Sequence, residues 1–392
     1  MAHYPYLIIG GGMTAAAAVH GIREVDPTGA IGVIGREHHP PYQRPPLSKA
    51  LWKDASLDSI WIDIAQQGVE LLSGRTAEAL DATQKRVTDD QGTVYTFDRL
   101  LLATGGAPRR FSWGGDDVIY YRTLADYQQL RALAEQRRRF AVIGGGFIGS
   151  EIAAALAMHE KDVVMLFPGA AIGEHVFGPE LSTFLNGYYR QRGVEVLAGA
   201  TATALERRGG QFALRTAEGR ELLVDGVVAG IGIEPNIGLA QAAGLGVDNG
   251  IVVDALLRTT HQDIYAAGDV ANFANPALGK RMRVEHEDNA NTMGKHAGRN
   301  MAGSDAPYEH LPFFYSDLFD LGYEAVGELD ARLEIVTDWK EPFREGVLYY
   351  LRDGRVRGVL LWNVWGQVDA ARRLIAQPGP FHADDLIGRL PA

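Results

Sequence analysis

Two short stretches bring together the residue types that hold phosphate: Gly10-Gly11-Gly12-Met13-Thr14-Ala15 and Gly144-Gly145-Gly146-Phe147-Ile148-Gly149. Each reads G-x-G-x-x-G/A. The first glycine permits a tight turn, and the second lets backbone N–H groups approach a pyrophosphate. The third small residue, Ala15 or Gly149, lets helix and strand pack closely. One such run alone is as readily a plain strand-to-helix turn. Two in one chain predict two dinucleotide sites, one using Gly10, Gly12 and Ala15, the other Gly144, Gly146, Phe147, Ile148 and Gly149. One bound flavin and one exchangeable nicotinamide are the pair that hydride transfer requires.

These loops need a strand before them and a helix after them. Tyr6-Leu7-Ile8-Ile9 reads as a buried strand and is followed, past the glycines, by an alanine-rich helix. Phe140-Ala141-Val142-Ile143 repeats the strand, and Ser150-Glu151-Ile152 leads the second helix, with Glu151 expected on its first turn. In both, a pyrophosphate would sit on the positive end of the helix dipole. Further strands are expected over 30–34 and 224–233, with a hairpin near 87–97. The apolar Leu100-Leu101-Leu102 runs into Ala103-Thr104-Gly105-Gly106, and a buried strand from Ile264 ends in Gly268-Asp269. After about Tyr308 the pattern changes to short aromatic and β-branched strands, with a turn at Asp353-Gly354, which predicts a separate α+β domain.

Composition narrows the chemistry. The 392 residues suffice for two or three domains, and the 46% hydrophobic and 22% charged fractions are those of a globular protein. A net charge of −11 gives nucleic acid and anionic membranes no general reason to bind. There is no cysteine, which excludes a catalytic disulfide, a thiolate nucleophile, a cysteine-ligated iron–sulfur cluster and Cys-type zinc. No metal is expected. No apolar run approaches the ~20 residues of a membrane span, no targeting segment is visible, and a cytoplasmic location is expected.

Beyond the glycine loops, the chain carries Arg44-Pro45-Pro46-Leu47-Ser48-Lys49, the ATGG run at 103–106, the AAGD run at 266–269 and Arg283-Val284-Glu285-His286. With these motifs it resembles the FAD-dependent pyridine nucleotide oxidoreductases over essentially its whole length, in the group that holds apoptosis-inducing factor and the oxygenase-coupled ferredoxin reductases. Arg283 to Asp288, Phe314-Tyr315-Ser316-Asp317, Gly322-Tyr323-Glu324-Ala325 and Leu361-Trp362-Asn363 look more like apoptosis-inducing factor. The resemblance implies an α/β fold with two Rossmann-like dinucleotide-binding domains, glutathione-reductase-like, plus a C-terminal α+β domain. The implied boundaries are 1–111 with 234–307 for FAD, 112–233 for NAD(P)H, and 308–392 for the last domain.

The same resemblance implies roles. Arg44 and Lys49 match residues lying along the flavin, and Lys49 is placed opposite Glu151. Ala103, Thr104, Gly105 and Arg109 fall on the FAD side, and Asp269 is expected to accept a hydrogen bond from the ribitol. Glu285 and His286 match the flavin pyrimidine and nicotinamide end, and Phe147 a phenylalanine that shields the flavin until nicotinamide displaces it. Tyr315 stands where relatives usually carry a tryptophan near the flavin. Lys49, Glu151 and His286 are the candidate catalytic residues. For the FAD ribose, Glu37 is the expected carboxylate, with Arg36 as the one-place alternative.

The expected cofactors are FAD and NADH, with NADPH as the alternative. The strand Val163-Val164-Met165-Leu166-Phe167 ends in Pro168-Gly169, where NAD-preferring relatives carry an acid, and Gly169 offers neither acid nor cation. On that reading Gly169→Glu is expected to sharpen the preference for NADH. Hydride passes from NADH to flavin N5 and on as electrons to an acceptor: a quinone, oxygen or a small iron–sulfur protein. A ferredoxin or rubredoxin reductase of an oxygenase system is the alternative enzyme, and a redox-sensing interaction protein the alternative of another class. Monomer and homodimer are both open.

Overall fold

The computed structural model describes residues 2–391. The chain divides into two compact units: Met1–Arg44 with Ser56–Ala107 and Glu234–Phe313, and Pro45–Ala55 with Pro108–Ile233 and Phe314–Ala392.

The first unit is built on a sheet in the spatial order Val69–Ser73, Ile31–Gly35, Ala2–Ile9, Val94–Leu102, Arg86–Asp89, Ala77–Asp81. The strand Ala2–Ile9 is central and parallel to both neighbours, which explains its unbroken apolar run: both faces are covered. Val94–Leu102 divides its far edge. Its first half pairs antiparallel with Arg86–Asp89, and its last three residues pair parallel with Ile264–Ala266. The helix Met13–Arg23 packs on Glu287–Met301 at backbone contact. A side chain at Gly298 would overlap the Ala18 carbonyl, so alanine and glycine are what this crossing admits.

The second unit contains a five-stranded sheet, ordered Glu195–Ala198, Asp162–Phe167, Arg139–Ile143, Gly226–Ala229, Val118–Tyr120, and parallel throughout. A three-stranded antiparallel sheet, Ala202–Arg208, Gln211–Thr216 and Glu221–Val224, accompanies it. The C-terminal region forms a five-stranded sheet, ordered Phe313–Leu318, Leu321–Gly327, Arg355–Trp362, Glu345–Arg352, Glu334–Glu341. Its helix Val368–Ile375 buries Ala371, Leu374 and Ile375.

Two local expectations are corrected. The apolar stretch 224–233 is not one strand: Glu221–Val224 belongs to the antiparallel sheet and Gly226–Ala229 to the parallel one. Asp225 makes the break, its carboxylate accepting the backbone N–H groups of Arg138 and Arg139 at 3.1 and 2.8 Å. The strand from Ile264 stops at Ala266, and Gly268–Val270 is a 3-10 turn entered with Gly268 at φ +76°.

Candidate active site

In the first unit the strand Ala2–Ile9 enters its glycine loop at Gly10, whose N–H donates to Ile34 O at 2.8 Å. Gly10 has φ +124°, and a Cβ there would overlap the Ala103 carbonyl oxygen. The ATGG run is thus what the first glycine turns against. Ala103 is tied back by its N–H to Ile9 O at 2.8 Å. Thr104 Oγ1 donates to Asn236 O at 2.9 Å, and Asn236 Nδ2 and N return bonds to Thr104 O and Gly105 O at 2.8 and 2.9 Å. Gly12, the N-cap of Met13–Arg23, faces open space, and the first turn of that helix carries no acid. An open, uncharged helix N-terminus with close backbone access is what a pyrophosphate fits.

Glu37, just beyond the second strand, is half-buried, while Arg36 is exposed. The Glu37 carboxylate accepts from Arg44 Nη2 at 2.8 Å and from Tyr42 OH at 2.7 Å. Burial works against the Arg44 charge, yet Tyr42 and Glu37, helped by Asp269, hold its pKa above the ordinary guanidinium value. Asp269 lies in the Gly268–Val270 turn, and its carbonyl accepts from Arg283 Nη1 at 3.0 Å. Arg283 also holds Glu285 at 2.5 Å. His286 is the N-cap of Glu287–Met301.

The second unit repeats the loop. Gly144 has φ +128°, and a Cβ there would overlap the Gly230 carbonyl; one at Gly149 would overlap the Gly144 carbonyl. Gly146 faces open space at the N-cap of Phe147–Met158. Ile148 is exposed, and Arg109, also exposed, has its N–H on Gly232 O at 3.0 Å.

Glu151 is the centre of a buried polar cluster in this unit. It lies one turn further along the helix than the sequence suggested, since no acid stands in the first turn. Its carboxylate is held by direct contacts. Lys49 Nζ lies 2.7 Å from Glu151 Oε1, and Ser316 Oγ donates to the same oxygen at 2.6 Å. Ser48 Oγ donates to Oε2 at 2.5 Å. The Lys49 ammonium also stands 5.3 Å from the Tyr315 ring centroid, and Phe147 packs on Phe314 at 5.4 Å. Burial, and then the Glu151 charge, push the Tyr189 and Tyr323 hydroxyls well above their ordinary pKa. Sequence reasoning missed Ser48 and Ser316 as partners of Glu151. The signal was present in Ser48, which adjoins Lys49; nothing in the spacing pointed to Ser316.

A cavity of about 230 Å³ opens beside the second loop, lined among others by Gly145, Gly146, Phe147, Ser150, Gly169 and Glu174. Gly169 carries no acid, but the Glu174 carboxylate lies directly over it, where a side chain at Gly169 would overlap Glu174 Oε1. Gly169→Glu would crowd an acid already in place.

Two glycine-loop helices, each shaped for a pyrophosphate and each following a strand with parallel neighbours, define an oxidoreductase that works with two dinucleotides. The chain belongs to the pyridine nucleotide-disulphide oxidoreductase family, which it matches over residues 4–294. It is an FAD-dependent NAD(P)H oxidoreductase, although it has no cysteine for the disulphide of the family name. Residues 297–342 and 336–377 match the C-terminal region of apoptosis-inducing factor, mitochondrion-associated.

Among similar proteins, the 5,5'-dehydrodivanillate O-demethylase ferredoxin reductase subunit of Sphingobium sp. is 36% identical, over 91% of this chain and 89% of its own. Apoptosis-inducing factor 1, mitochondrial, of Dictyostelium discoideum is 33% identical, over 95% and 78%. The crystal structure of the covalent putidaredoxin reductase–putidaredoxin complex matches with a TM-score of 0.90 at 31% identity, covering 96% of this chain and 94% of that one. No helix among the described residues is long and apolar enough to cross a membrane.

Proposed function

We propose that the first unit holds FAD and the second takes NADH, and that electrons leave the flavin for a separate acceptor. The observation that carries this is the duplicated loop, in which Gly10 and Gly144 turn against a neighbouring carbonyl while Gly12 and Gly146 face open space. Bound there, the two cofactors would supply hydride transfer from the nicotinamide to the flavin.

The protein's part is to bind and orient. Gly10, Gly12 and Ala15 present backbone to the FAD pyrophosphate, and Glu37 accepts from the adenosine ribose while Arg44 fixes its carboxylate. Thr104, Gly105 and Arg109 edge the flavin, Asp269 meets the ribitol, and Glu285 and His286 meet the pyrimidine end. Gly144, Gly146, Ile148 and Gly149 do the corresponding work for the nicotinamide dinucleotide. Phe147 covers the place that the nicotinamide ring takes. Glu151, held by three donors, keeps Lys49 from turning to solvent, so the ammonium has one direction to point.

A second reading concerns the acceptor. The 36% identical ferredoxin reductase subunit and the likeness to putidaredoxin reductase favour a small iron–sulfur protein over a quinone or oxygen. Anaerobic titration tests the core of the proposal. The purified protein should carry about one non-covalent FAD per chain, and one equivalent of NADH should bleach it. A protein that cannot be reconstituted with FAD sinks the reading. Mixing the reduced protein with ferredoxin-type proteins, a quinone and oxygen then ranks the acceptors by reoxidation rate. A reduced form that persists with all of them points instead to a redox sensor.

A further inference from the structure

We infer that Glu174 is the residue that selects NADH, taking from a loop the place that an acid at the end of the strand Asp162–Phe167 would otherwise fill. The inference rests on the proposal that this unit binds a nicotinamide dinucleotide. In such a fold the adenosine ribose lies at the end of the second strand, where a carboxylate binds its hydroxyls and repels a 2′-phosphate. Here that strand runs out into Pro168-Gly169, which has no side chain to offer.

The carboxylate arrives from five residues further on. Glu174 lies over Gly169 and lines the same cavity as Gly145, Gly146 and Phe147 of the glycine loop. Its side chain is 31% exposed, open enough to meet a ligand. Glu174 Oε2 accepts the Ala170 N–H at 2.6 Å, which fixes the orientation of the carboxylate, and Oε1 is the oxygen nearer to Gly169. His175 Nε2 stands 3.7 Å from Oε1 on a ring that is 92% exposed.

The loop that carries Glu174 is itself held in place. Asn186, buried on the helix Pro179–Gln191, accepts the Ile172 N–H and donates to Ala170 O, both at 3.0 Å. Gly173 N–H donates to Gly145 O at 2.9 Å, joining this loop to the glycine loop. Gly169 is therefore not a missing acid. It leaves free the space that the Glu174 carboxylate occupies, and a Cβ there would have to displace the end of that side chain. Among the described residues lining the cavity there is no lysine or arginine to receive a 2′-phosphate.

The test is binding, measured on the oxidised holoprotein by calorimetry with NAD⁺ and NADP⁺. The wild type should bind NAD⁺ more tightly. Glu174→Gln keeps an acceptor for the Ala170 N–H, so the loop and the flavin content should be unchanged. It removes the charge, so the ratio of the NADP⁺ to the NAD⁺ dissociation constant should fall roughly tenfold or more, as for loss of a charge-assisted hydrogen bond together with a repulsion. Glu174→Arg should reverse the preference. A merely structural glutamate would weaken both nucleotides alike, and a ratio within twofold of wild type in Glu174→Gln overturns the inference. A wild type that prefers NADP⁺ also overturns it while leaving the nicotinamide site standing. A wild type that binds neither nucleotide removes that site and this inference together.

Discussion

Lys49 and Glu151, 102 residues apart in the chain, meet at 2.7 Å with only 13% and 3% of their side chains exposed. An ion pair so little exposed is costly to break from one side, because the remaining charge has lost its water and its partner together. Lys49→Ala and Glu151→Ala should each cost about 3–5 kcal/mol, by that argument, and each should perturb the flavin spectrum. The double variant should be much less damaging than the sum of the two, since both remove one interaction. A cycle on the anaerobic rate of flavin reduction decides it; strictly additive losses would mean that the two residues act separately.

Ser316 should matter more than a serine in a strand ordinarily does. Its hydroxyl is buried and donates to the same Glu151 oxygen that Lys49 holds. Ser316→Ala should destabilise by roughly 1–3 kcal/mol, the range for a lost bond to a buried charged group. Urea unfolding followed by circular dichroism measures this. Ser316→Thr, which keeps the hydroxyl, should recover part of the loss.

Gly10 and Gly12 should fail in different ways when made alanine. Gly10→Ala meets both a left-handed backbone and the Ala103 carbonyl, so folding itself should suffer, by at least ~1–3 kcal/mol of strain. Gly12→Ala meets nothing in the protein, because its Cβ would project into open space at the helix N-terminus. That variant should keep the melting temperature of the apoprotein while flavin affinity falls by about tenfold, or ~1.4 kcal/mol. Fluorescence titration of the apoprotein with FAD separates the two; undiminished affinity in Gly12→Ala would move the pyrophosphate elsewhere.

Asp89 should supply part of the acid sensitivity of the first unit. Burial alone would raise its pKa. Hydrogen bonds from Tyr95 OH at 2.8 Å and Arg75 Nη1 at 2.7 Å, with the Thr93 and Gln91 N–H groups, outweigh that and bring it down to about 2. A folded-state pKa below the unfolded value of ~3.9 means stability that is fully present above pH ~4 and is lost as pH falls toward 2. The contribution near neutrality is roughly 2–3 kcal/mol by this linkage. Asp89→Asn should therefore be less stable than wild type at pH 7, and the gap should narrow between pH 4 and 2. Denaturation midpoints across that range check it, and a gap independent of pH would assign the effect to packing.

Much of this protein was legible in its sequence because the features concerned are local. The strand–glycine–helix units read directly from Tyr6 to Ala16 and from Phe140 to Leu156, since a tight turn and close backbone approach admit few residues but glycine and alanine. The family resemblance then supplied Lys49 opposite Glu151, which no spacing rule would pair.

Tertiary structure decided what depends on several segments at once. Ser48 and Ser316 become partners of one carboxylate only because three distant stretches converge on Glu151. Asp225 splits an apolar run that periodicity alone reads as one strand, because its carboxylate takes two backbone N–H groups from a neighbouring strand's start. Most telling is Gly169. In sequence it is an acid gone missing; in space it is the gap that Glu174 fills. A motif records which residue stands at a position, whereas a ligand meets whichever side chain reaches that place, and a loop held by Asn186 can bring it from five residues away.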